Sequence, residues 1–243
     1  MTIQAVIWDY GGVISIPPFS GLDGFEADMG YPAGSMLELM FGESSYIETL
    51  SRGTSTEGVT PAEPEARHAV THDWHRLETG DMTLADYFIS VTERAPRILG
   101  APVDLEAYQR YARSMPFGIH WPVVHRIREL RRDGFATGLL TNNVKEFGSA
   151  WRASIPVDEI FDAVVDSSEV GLRKPDPRIY ELTCEKLGVE SDAAVFLDDN
   201  RSNVEAARAL GMATVHVADG PIETLTALDA ILDGQTRGGG RDG

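Results

Sequence analysis

The chain of 243 residues is long enough for one sizeable domain, or for a core domain with an insert. Its 21 basic and 38 acidic residues give a net charge of −17, which argues against a nucleic-acid partner and against adhesion to an anionic membrane, because both need a basic surface. An anionic ligand remains compatible with this charge, but a metal ion or a few local cations must then overcome the overall negative field.

The first predicted strand is an apolar run at residues 3–8, and it is followed directly by a carboxylate, Asp9. Gly11 and Gly12 come almost at once after it. A buried strand that ends on an aspartate needs either a use or a cap for that charge. Asp-Tyr-Gly-Gly is also a sequence that forms turns well, so Asp9 taken alone could simply begin a turn.

Residues 16–111 separate this strand from the next and have a different character. They carry helical fragments at residues 35–39 and 82–92. Residues 53–61 are too polar and too interrupted by glycine and proline to form a helix or strand. We therefore predict an inserted, mainly helical subdomain with a mobile loop.

Four more apolar, β-branched segments predict strands at residues 135–140, 163–166, 194–198 and 213–217. Helical patterns lie between them, and their predicted limits are Pro122 to Gly134, Pro177 to Gly188, and a third pattern that ends at Gly211. Strands that alternate with helices predict an α/β fold, with a Rossmann-like parallel sheet covered by helices on both faces. The tail, residues 234–243, is rich in glycine and is predicted to be disordered.

The single cysteine, Cys184, excludes internal disulfides and any metal site built from several cysteines. Its spacing from Tyr180 and Leu187 places it on one stripe of a helix, so we expect a buried core thiol. No basic region precedes the first apolar run, and no segment approaches 18 apolar residues. We therefore expect a cytoplasmic protein without a membrane partner.

Polar residues follow the strands where each one ends. Thr141-Asn142-Asn143 follow the second strand, Lys174 comes after the third, and Asp198-Asp199 end the fourth. Because the carboxyl ends of parallel strands lie at one edge of a sheet, we expect these groups to meet Asp9 there. Three carboxylates form an oxygen site of the kind that Mg²⁺ prefers, and a hydroxyl with a lysine suits a phosphoryl group. Each group alone could cap a helix or lie in solvent; the set in this order favours a site.

In the order Asp9, Thr141, Lys174 and Asp198-Asp199, the chain resembles the four motifs of the haloacid dehalogenase superfamily of hydrolases. The stretches Gly-Leu-Arg-Lys-Pro-Asp-Pro-Arg-Ile-Tyr and Leu-Asp-Asp-Asn-Arg-x-Asn-Val-Glu-Ala-Ala-Arg-x-Leu-Gly are specific for it. The opening Val-Ile-Trp-Asp-Tyr-Gly-Gly-Val is similar to the phosphatase domain of soluble epoxide hydrolases and to the hydrolase-like domain fused to some acyl-CoA dehydrogenases. The resemblance covers nearly the whole chain. It implies an α/β hydrolase core at residues 1–15 and 112–233 and a helical cap at residues 16–111.

The resemblance also implies a role for each acidic group. Asp9 would be the nucleophile that forms an aspartyl-phosphate, and it would also bind Mg²⁺. Gly11 would offer its backbone carbonyl to the metal. Asp199 would be a direct ligand of the metal, and Asp198 would support it from behind.

The phosphoryl group has its own implied partners. Thr141 and the backbone of Asn142 would hold its oxygens, and Lys174 would neutralise Asp9 and the developing charge. The implied substrate is a small phosphorylated metabolite.

One position departs from the pattern of the family. Phosphatases of this superfamily usually carry a second aspartate two residues after the nucleophile, as acid and base, whereas this chain has Gly11. A missing acid–base group costs about 10²–10⁴-fold in rate. Tyr10 is expected to point the opposite way, and His72 and His75 are candidates to substitute.

Three functions therefore remain open on the sequence. The first is a Mg²⁺-dependent phosphatase acting on a small phosphomonoester. The second is a metal-free 2-haloacid dehalogenase, against which the pair Asp198-Asp199 argues. The third is a catalytically weak module that binds a phosphorylated ligand or a partner protein, and Gly11 is its motivation.

Overall fold

The structure, a computed structural model, describes residues 2–17, 19, 21–50, 72–114 and 118–236. The predicted loop at residues 53–61 lies outside this part of the chain. Within the described ranges the chain forms these helices: α1 (Leu22–Met29), α2 (Ser35–Leu50), α3 (Asp73–Glu78), α4 (Leu84–Leu99), α5 (Leu105–Ser114), α6 (Trp121–Arg132), α7 (Gly148–Arg152), α8 (Val157–Ile160), α9 (Ser167–Val170), α10 (Pro177–Leu187), α11 (Arg201–Ala209) and α12 (Pro221–Thr236).

A parallel sheet of five strands forms the centre of the fold. Its strands are β1 (Ala5–Trp8), β2 (Ala136–Thr141), β3 (Ala163–Asp166), β4 (Ala194–Asp198) and β5 (Ala213–His216). Their order across the sheet is β3-β2-β1-β4-β5. The five predicted strands are confirmed, each within two residues of its predicted ends.

The position of β1 decides where the strand-end residues meet. Trp8 of β1 is level with Leu139 of β2 on one side and with Leu197 of β4 on the other. The residues that follow these three strands therefore lie side by side at one edge. The chain passes from β1 to β2 and β3 on one side, and then returns to β4 and β5 on the other. Such a reversal of direction opens a crevice where ligands bind in α/β sheets.

Alternating side chains of the strands divide the core into two layers. Val6 and Trp8 point to the face covered by α6, α7, α8 and α12. Ala5 and Ile7 point to the opposite face, which α10 and α11 cover. This confirms the prediction of helices on both faces, since these side chains of the sheet are buried beneath helices on either side.

The helix ends follow the predicted signals. The side chain of Asp176 accepts a hydrogen bond from the backbone of Arg178, and Pro177 is the first residue of α10. Gly188 ends that helix with a φ of +68°, a conformation that glycine adopts without strain. Cys184 lies buried in α10, as predicted.

Helices α1–α5, called the cap helices below, pack around an apolar cluster of their own. Phe25, Leu39, Leu77 and Tyr87 are among its buried members. The predicted helical fragments fall inside α2 and α4. The predicted boundary between residues 111 and 112 falls inside α5, where the hydroxyl of Tyr111 donates to the carbonyl of Gly21 over 2.7 Å. A single helix belongs to one packing unit, so α5 stays with the cap helices throughout its length.

Two antiparallel segments connect the sheet to the cap helices. The amide of Ile16 donates to the carbonyl of Gly118 over 2.9 Å, and that of His120 donates to Ile14 over 2.8 Å. The chain thus leaves and re-enters the sheet layer at neighbouring points.

The C-terminal helix differs from the prediction. Because α12 continues to Thr236, the first three residues of the predicted disordered tail are helical, and residues 237–243 lie outside the described part of the chain. No helix within the described ranges is long and apolar enough to cross a membrane.

Candidate active site at the carboxyl edge of the sheet

Three carboxylates meet at the end of β1 and β4. One oxygen from each of Asp9, Asp198 and Asp199 lies within 4.8 Å of the others. Asp9 and Asp198 are 8% and 0% exposed, and Asp199 is half-buried. Buried carboxylates at this spacing repel one another unless cations lie between them.

Lys174 supplies one such cation. Its ammonium nitrogen lies 2.8 Å from Asp9 Oδ1 and 2.6 Å from Asp198 Oδ2, and it donates to the carbonyl of Leu140 over 2.9 Å. The side chain is only 1% exposed. The ammonium therefore has a partner for each of its three protons and acts as a fixed charge between two strands.

Burial raises the pKa of Asp9 to about 8. Asp198 and Asp199 push this pKa in the same direction, while Lys174 opposes them. Burial alone would lower the pKa of Lys174, but Asp198 and Asp9 outweigh it and raise that pKa. The lysine thus stays charged, and one ammonium does not balance three carboxylates. The site favours a further cation.

Asp198 is held by more than Lys174. Its Oδ1 accepts from the backbone of Asn200 over 2.7 Å, and the side-chain amide of Asn203 lies 3.1 Å from both of its oxygens. Sequence reasoning did not identify Asn203. Its signal was present, because Asn203 lies one turn into α11, in the same motif as Asp198-Asp199.

Gly12 allows Asp199 to reach the site. Its φ is +77°, and a Cβ built on it would lie 2.2 Å from Asp199 Oδ2 and 2.5 Å from Asp199 Cγ. Any side chain at this position would displace the carboxylate. Gly11, whose carbonyl the family pattern assigns to the metal, lines the cavity beside Asp9.

The residues after β2 have different places. Asn142 lines the cavity, and its side chain clamps the loop of Lys174: its amide donates to the Lys174 carbonyl over 3.0 Å, and its oxygen accepts from the Lys174 backbone over 2.8 Å. Thr141 is 2% exposed and does not line the cavity. Its hydroxyl makes only a long contact of 3.5 Å with the carbonyl of Asn142. The structure therefore brings Asp9, Lys174 and the aspartate pair together and leaves the Thr141 side chain beneath them.

A cavity of about 380 Å³ opens above Asp9, between the sheet edge and the cap helices. Most of its apolar wall was not foreseen from the sequence and consists of Phe19, Phe41, Trp74, Tyr108, Val144 and Phe147. Phe19, Phe41 and Trp74 pack edge to face, with ring centroids 4.7–5.5 Å apart. Arg173 and Glu78 also line it, and sequence reasoning missed both as site residues.

The two cap histidines differ in position. His75 lines the cavity, whereas His72 accepts a hydrogen bond from the backbone of Trp74 and caps α3. Burial, assisted by the nearby Arg173, lowers the pKa of His75 to about 3. Its imidazole is therefore neutral at neutral pH and has no proton to give readily as an acid. Tyr10 points away, as predicted: its hydroxyl lies 2.6 Å from Ser154 Oγ.

Comparison with known proteins supports the motif pattern. Residues 3–211 match the haloacid dehalogenase-like hydrolase family. The chain belongs to this family.

Relatives of this hydrolase include both types of fusion protein suggested by its opening motif. It is 29% identical over 231 residues to acyl-CoA dehydrogenase family member 10 of Mus musculus, covering 94% of this chain and 19% of that protein. It is 37% identical over 105 residues to bifunctional epoxide hydrolase 2 of Sus scrofa, covering 42% and 19%. It is 36% identical over 115 residues to phosphatase MT3486 of Mycobacterium tuberculosis (strain CDC 1551 / Oshkosh), covering 44% and 53%. The hydrolase thus spans about a fifth to a half of these relatives.

Solved structures share the fold of this hydrolase. A HAD family enzyme of Bacteroides thetaiotaomicron, in complex with magnesium and inorganic phosphate, superposes with a TM-score of 0.53 at 18% identity. The match covers 88% of this chain and 93% of the other. At this identity the likeness concerns the fold.

Gly12→Ala is expected to disturb the carboxylate cluster beyond ordinary backbone strain. Gly12 and Gly100 both have a positive φ. Replacing either one by alanine therefore costs about 1 kcal/mol of stability through backbone strain. At Gly100, with a φ of +72°, nothing lies within 4 Å of the added Cβ, so Gly100→Ala is the matched control. Both variants should lose similar stability, but only Gly12→Ala should lose most of its affinity for Mg²⁺ in a calorimetric titration. Equal Mg²⁺ affinity in the two variants would contradict the close approach of Asp199.

Proposed function

We propose that this hydrolase is a Mg²⁺-dependent phosphatase that acts on a phosphomonoester through an aspartyl-phosphate at Asp9. The observation that carries the proposal is the buried Asp9 carboxylate, which lies against Lys174 and within 4.8 Å of two other aspartates at the floor of a cavity. The sequence predicts a core at residues 1–15 and 112–233 and a cap at residues 16–111. We propose this division with one change: the cap extends to Ser114, where α5 ends, and the core resumes after it.

The donor set fits Mg²⁺. Carboxylate oxygens are its preferred protein ligands, and three of them lie close together here, with the ammonium of Lys174 against two. Asp9, Asp199 and the Gly11 carbonyl would hold the ion. Asp198 would support these groups without binding the ion directly, because its oxygens are already engaged by Lys174, Asn200 and Asn203. When bound, Mg²⁺ would withdraw negative charge from the phosphoryl oxygens and from Asp9.

Asp9 is oriented for attack by fixed donors. Its Oδ1 accepts from Lys174 and from the backbone of Tyr10, at 2.8 and 2.7 Å, so the plane of the carboxylate is set. A carboxylate oxygen would bond to phosphorus while the bond from phosphorus to the leaving oxygen breaks. Lys174 and the backbone of Asn142 would hold the phosphoryl oxygens, and the hydroxyl of Thr141 would join them by turning from the Asn142 carbonyl.

Proton transfer is the weak step of this site. With Gly11 in place of an acid, and with His75 neutral, the leaving oxygen would take its proton from water. In the second half-reaction, water attacks phosphorus, the bond to Asp9 breaks, and a proton from the water must be accepted. His75 is in its neutral form at neutral pH, but its low pKa makes it a weak base. Because turnover would be slow, the second candidate function is to bind a phosphorylated ligand without hydrolysing it efficiently.

The cavity also favours one class of leaving group. Apolar and aromatic side chains form much of its wall, whereas Lys174 and Arg173 are each engaged with buried carboxylates. Among the described lining residues, each lysine or arginine that could meet a second anionic group of a substrate therefore already has a carboxylate partner. We propose that the substrate carries one phosphate and that its leaving group is apolar or aromatic.

Asp9→Asn is expected to lower phosphate release from 4-nitrophenyl phosphate below a tenth of the wild-type rate, because the amide is not a nucleophile. The variant should still fold, because Lys174 keeps the carboxylate of Asp198 as a charged partner. Since the pKa of Asp9 rises from 3.8 to about 8 on folding, its contribution to metal-free stability is present below pH 3.8 and is lost as the pH rises to about 8. Thermal unfolding without metal should therefore lose part of its pH dependence in the variant. Asp133→Asn, at an exposed helix end, is the control; an Asp9→Asn variant above a tenth of wild-type activity would remove the nucleophile assignment.

The missing acid predicts a steep dependence of rate on the leaving group. Across aryl and alkyl phosphates, the rate of the first step should fall as the pKa of the leaving alcohol rises, and aryl esters should give a burst of phenol before a slow steady state. Gly11→Asp should accelerate alkyl esters more than aryl esters. A flat profile without a burst would show that another residue acts as the acid, and His75→Gln would then be compared first.

The apolar wall predicts a preference that does not depend on leaving-group chemistry. Hexyl phosphate and glycerol 3-phosphate both release alkoxides, so a difference between them reports on binding. We expect hexyl phosphate to have the lower KM by about tenfold or more, since burial of each methylene contributes about 0.8 kcal/mol. A lower KM for glycerol 3-phosphate would contradict the proposed substrate class while leaving the phosphatase assignment intact.

A further inference from the structure

Helix α3, which carries Trp74 and His75 above the site, is anchored at both ends. At its first residue, Asp73 binds Arg94 of α4 over 3.0 Å and also accepts from Ser90. These contacts keep the start of α3 within the cap helices. Its last residue, Glu78, contacts the sheet side instead.

Glu78 is fixed by three contacts. Its Oε2 accepts from Arg173 Nε over 2.8 Å, and its Oε1 accepts from Trp74 Nε1 over 2.8 Å. Its backbone carbonyl accepts from Ser167 Oγ over 2.6 Å. The residue is 7% exposed. These contacts hold both side-chain oxygens and the backbone of Glu78 in place.

The turn after Glu78 fits tightly against the loop that follows β3. Gly80 has a φ of +77°, and a Cβ on it would lie 3.1 Å from the carbonyl of Ser168. The end of α3 thus meets the strand-end loops both through the backbone and through a partly buried ion pair.

The partner of Glu78 connects it to the site. Arg173 immediately precedes Lys174, whose ammonium lies against Asp9. One loop therefore carries both the cation beside the nucleophile and the cation that binds α3. The height of Trp74 and His75 above Asp9 follows from the position of this loop.

We propose that Glu78 is a positioning residue, which acts through Arg173 to hold α3 over the cavity so that Trp74 contacts the leaving group of the substrate. This role rests on the proposed function, because it concerns the leaving group of a phosphate ester. Glu78 does not touch the phosphoryl group. Its loss should affect the recognition of the leaving group and not that of phosphate.

The test compares two ligands that the protein does not turn over. In the presence of Mg²⁺, calorimetry measures the affinity for phenylphosphonate, which has a ring for the α3 roof, and for inorganic phosphate, which has none. Glu78→Gln should weaken phenylphosphonate about tenfold, the loss expected for a hydrogen bond to a charged group, while phosphate changes by less than about twofold. Arg173→Gln should do the same, and Arg173→Lys should lose less. Because Glu78 and Arg173 act as one pair, the double variant should bind phenylphosphonate with no lower affinity than the weaker-binding single variant.

Glu26→Gln is the matched control. Glu26 is also a buried carboxylate of the cap helices, but it accepts from the backbone amides of Gly34 and Met36, each over 2.7 Å. A general loosening of the cap helices would lower both affinities in this variant, whereas the ratio between the two ligands should stay at the wild-type value.

Each outcome separates the two proposals. The role of Glu78 would be overturned if Glu78→Gln kept the wild-type ratio of the affinities for phenylphosphonate and phosphate. It would also be overturned if the losses of affinity were additive in the double variant. If Glu78→Gln does not fold, the ratio in Arg173→Gln and Arg173→Lys decides by the same criterion. Wild-type protein that binds both ligands and hydrolyses no ester would overturn the phosphatase proposal alone. Wild-type protein that binds neither ligand would overturn both.

Discussion

The ammonium of Lys174 between Asp9 and Asp198 is the interaction on which the site depends. The ammonium lies where β1, β2 and β4 end, and it contacts one residue at the end of each strand: Asp9, Leu140 and Asp198. Removing one partner from a buried ion pair of this kind costs about 3–5 kcal/mol, because the remaining charge stays buried. Asn142 keeps the lysine in place through two hydrogen bonds to its backbone.

The same interaction bears on the anionic substrate that we propose for this acidic protein. The chain carries a net charge of −17, yet its described cavity places Lys174 and Arg173 at one wall. Three carboxylates lie close to one ammonium at the floor of the site, and burial together with Asp198 and Asp199 raises the pKa of Asp9 more than Lys174 lowers it. A divalent cation would add positive charge there, beside Asp9.

The sheet and the cap helices contribute different chemistry. The sheet edge supplies charge: carboxylates, an ammonium and an amide clamp. The cap helices and the segment before α1 supply apolar rings, and Phe19, Phe41 and Trp74 form a continuous edge-to-face group. Glu78 and Arg173 connect the two parts through a partly buried ion pair. The proposed substrate has the same division, with a phosphate at one end and an apolar group at the other.

The sequence alone determined the sheet and its charged edge. Short β-branched runs alternating with capped helices specify a parallel sheet, and local signals such as Asp176-Pro177 and Gly188 act within one turn of the chain. Once the sheet is parallel, the residues after β1, β2 and β4 have to meet. The tertiary structure alone decided the rest. The aromatic wall comes from separate cap helices, from the segment before α1 and from the segment after β2, and no period in the sequence relates Phe19, Trp74 and Phe147. The clamp of Asn142 on Lys174 and the pair of Glu78 with Arg173 join residues 32 and 95 positions apart. Such contacts depend on how the layers pack, and the local sequence carries no signal for them.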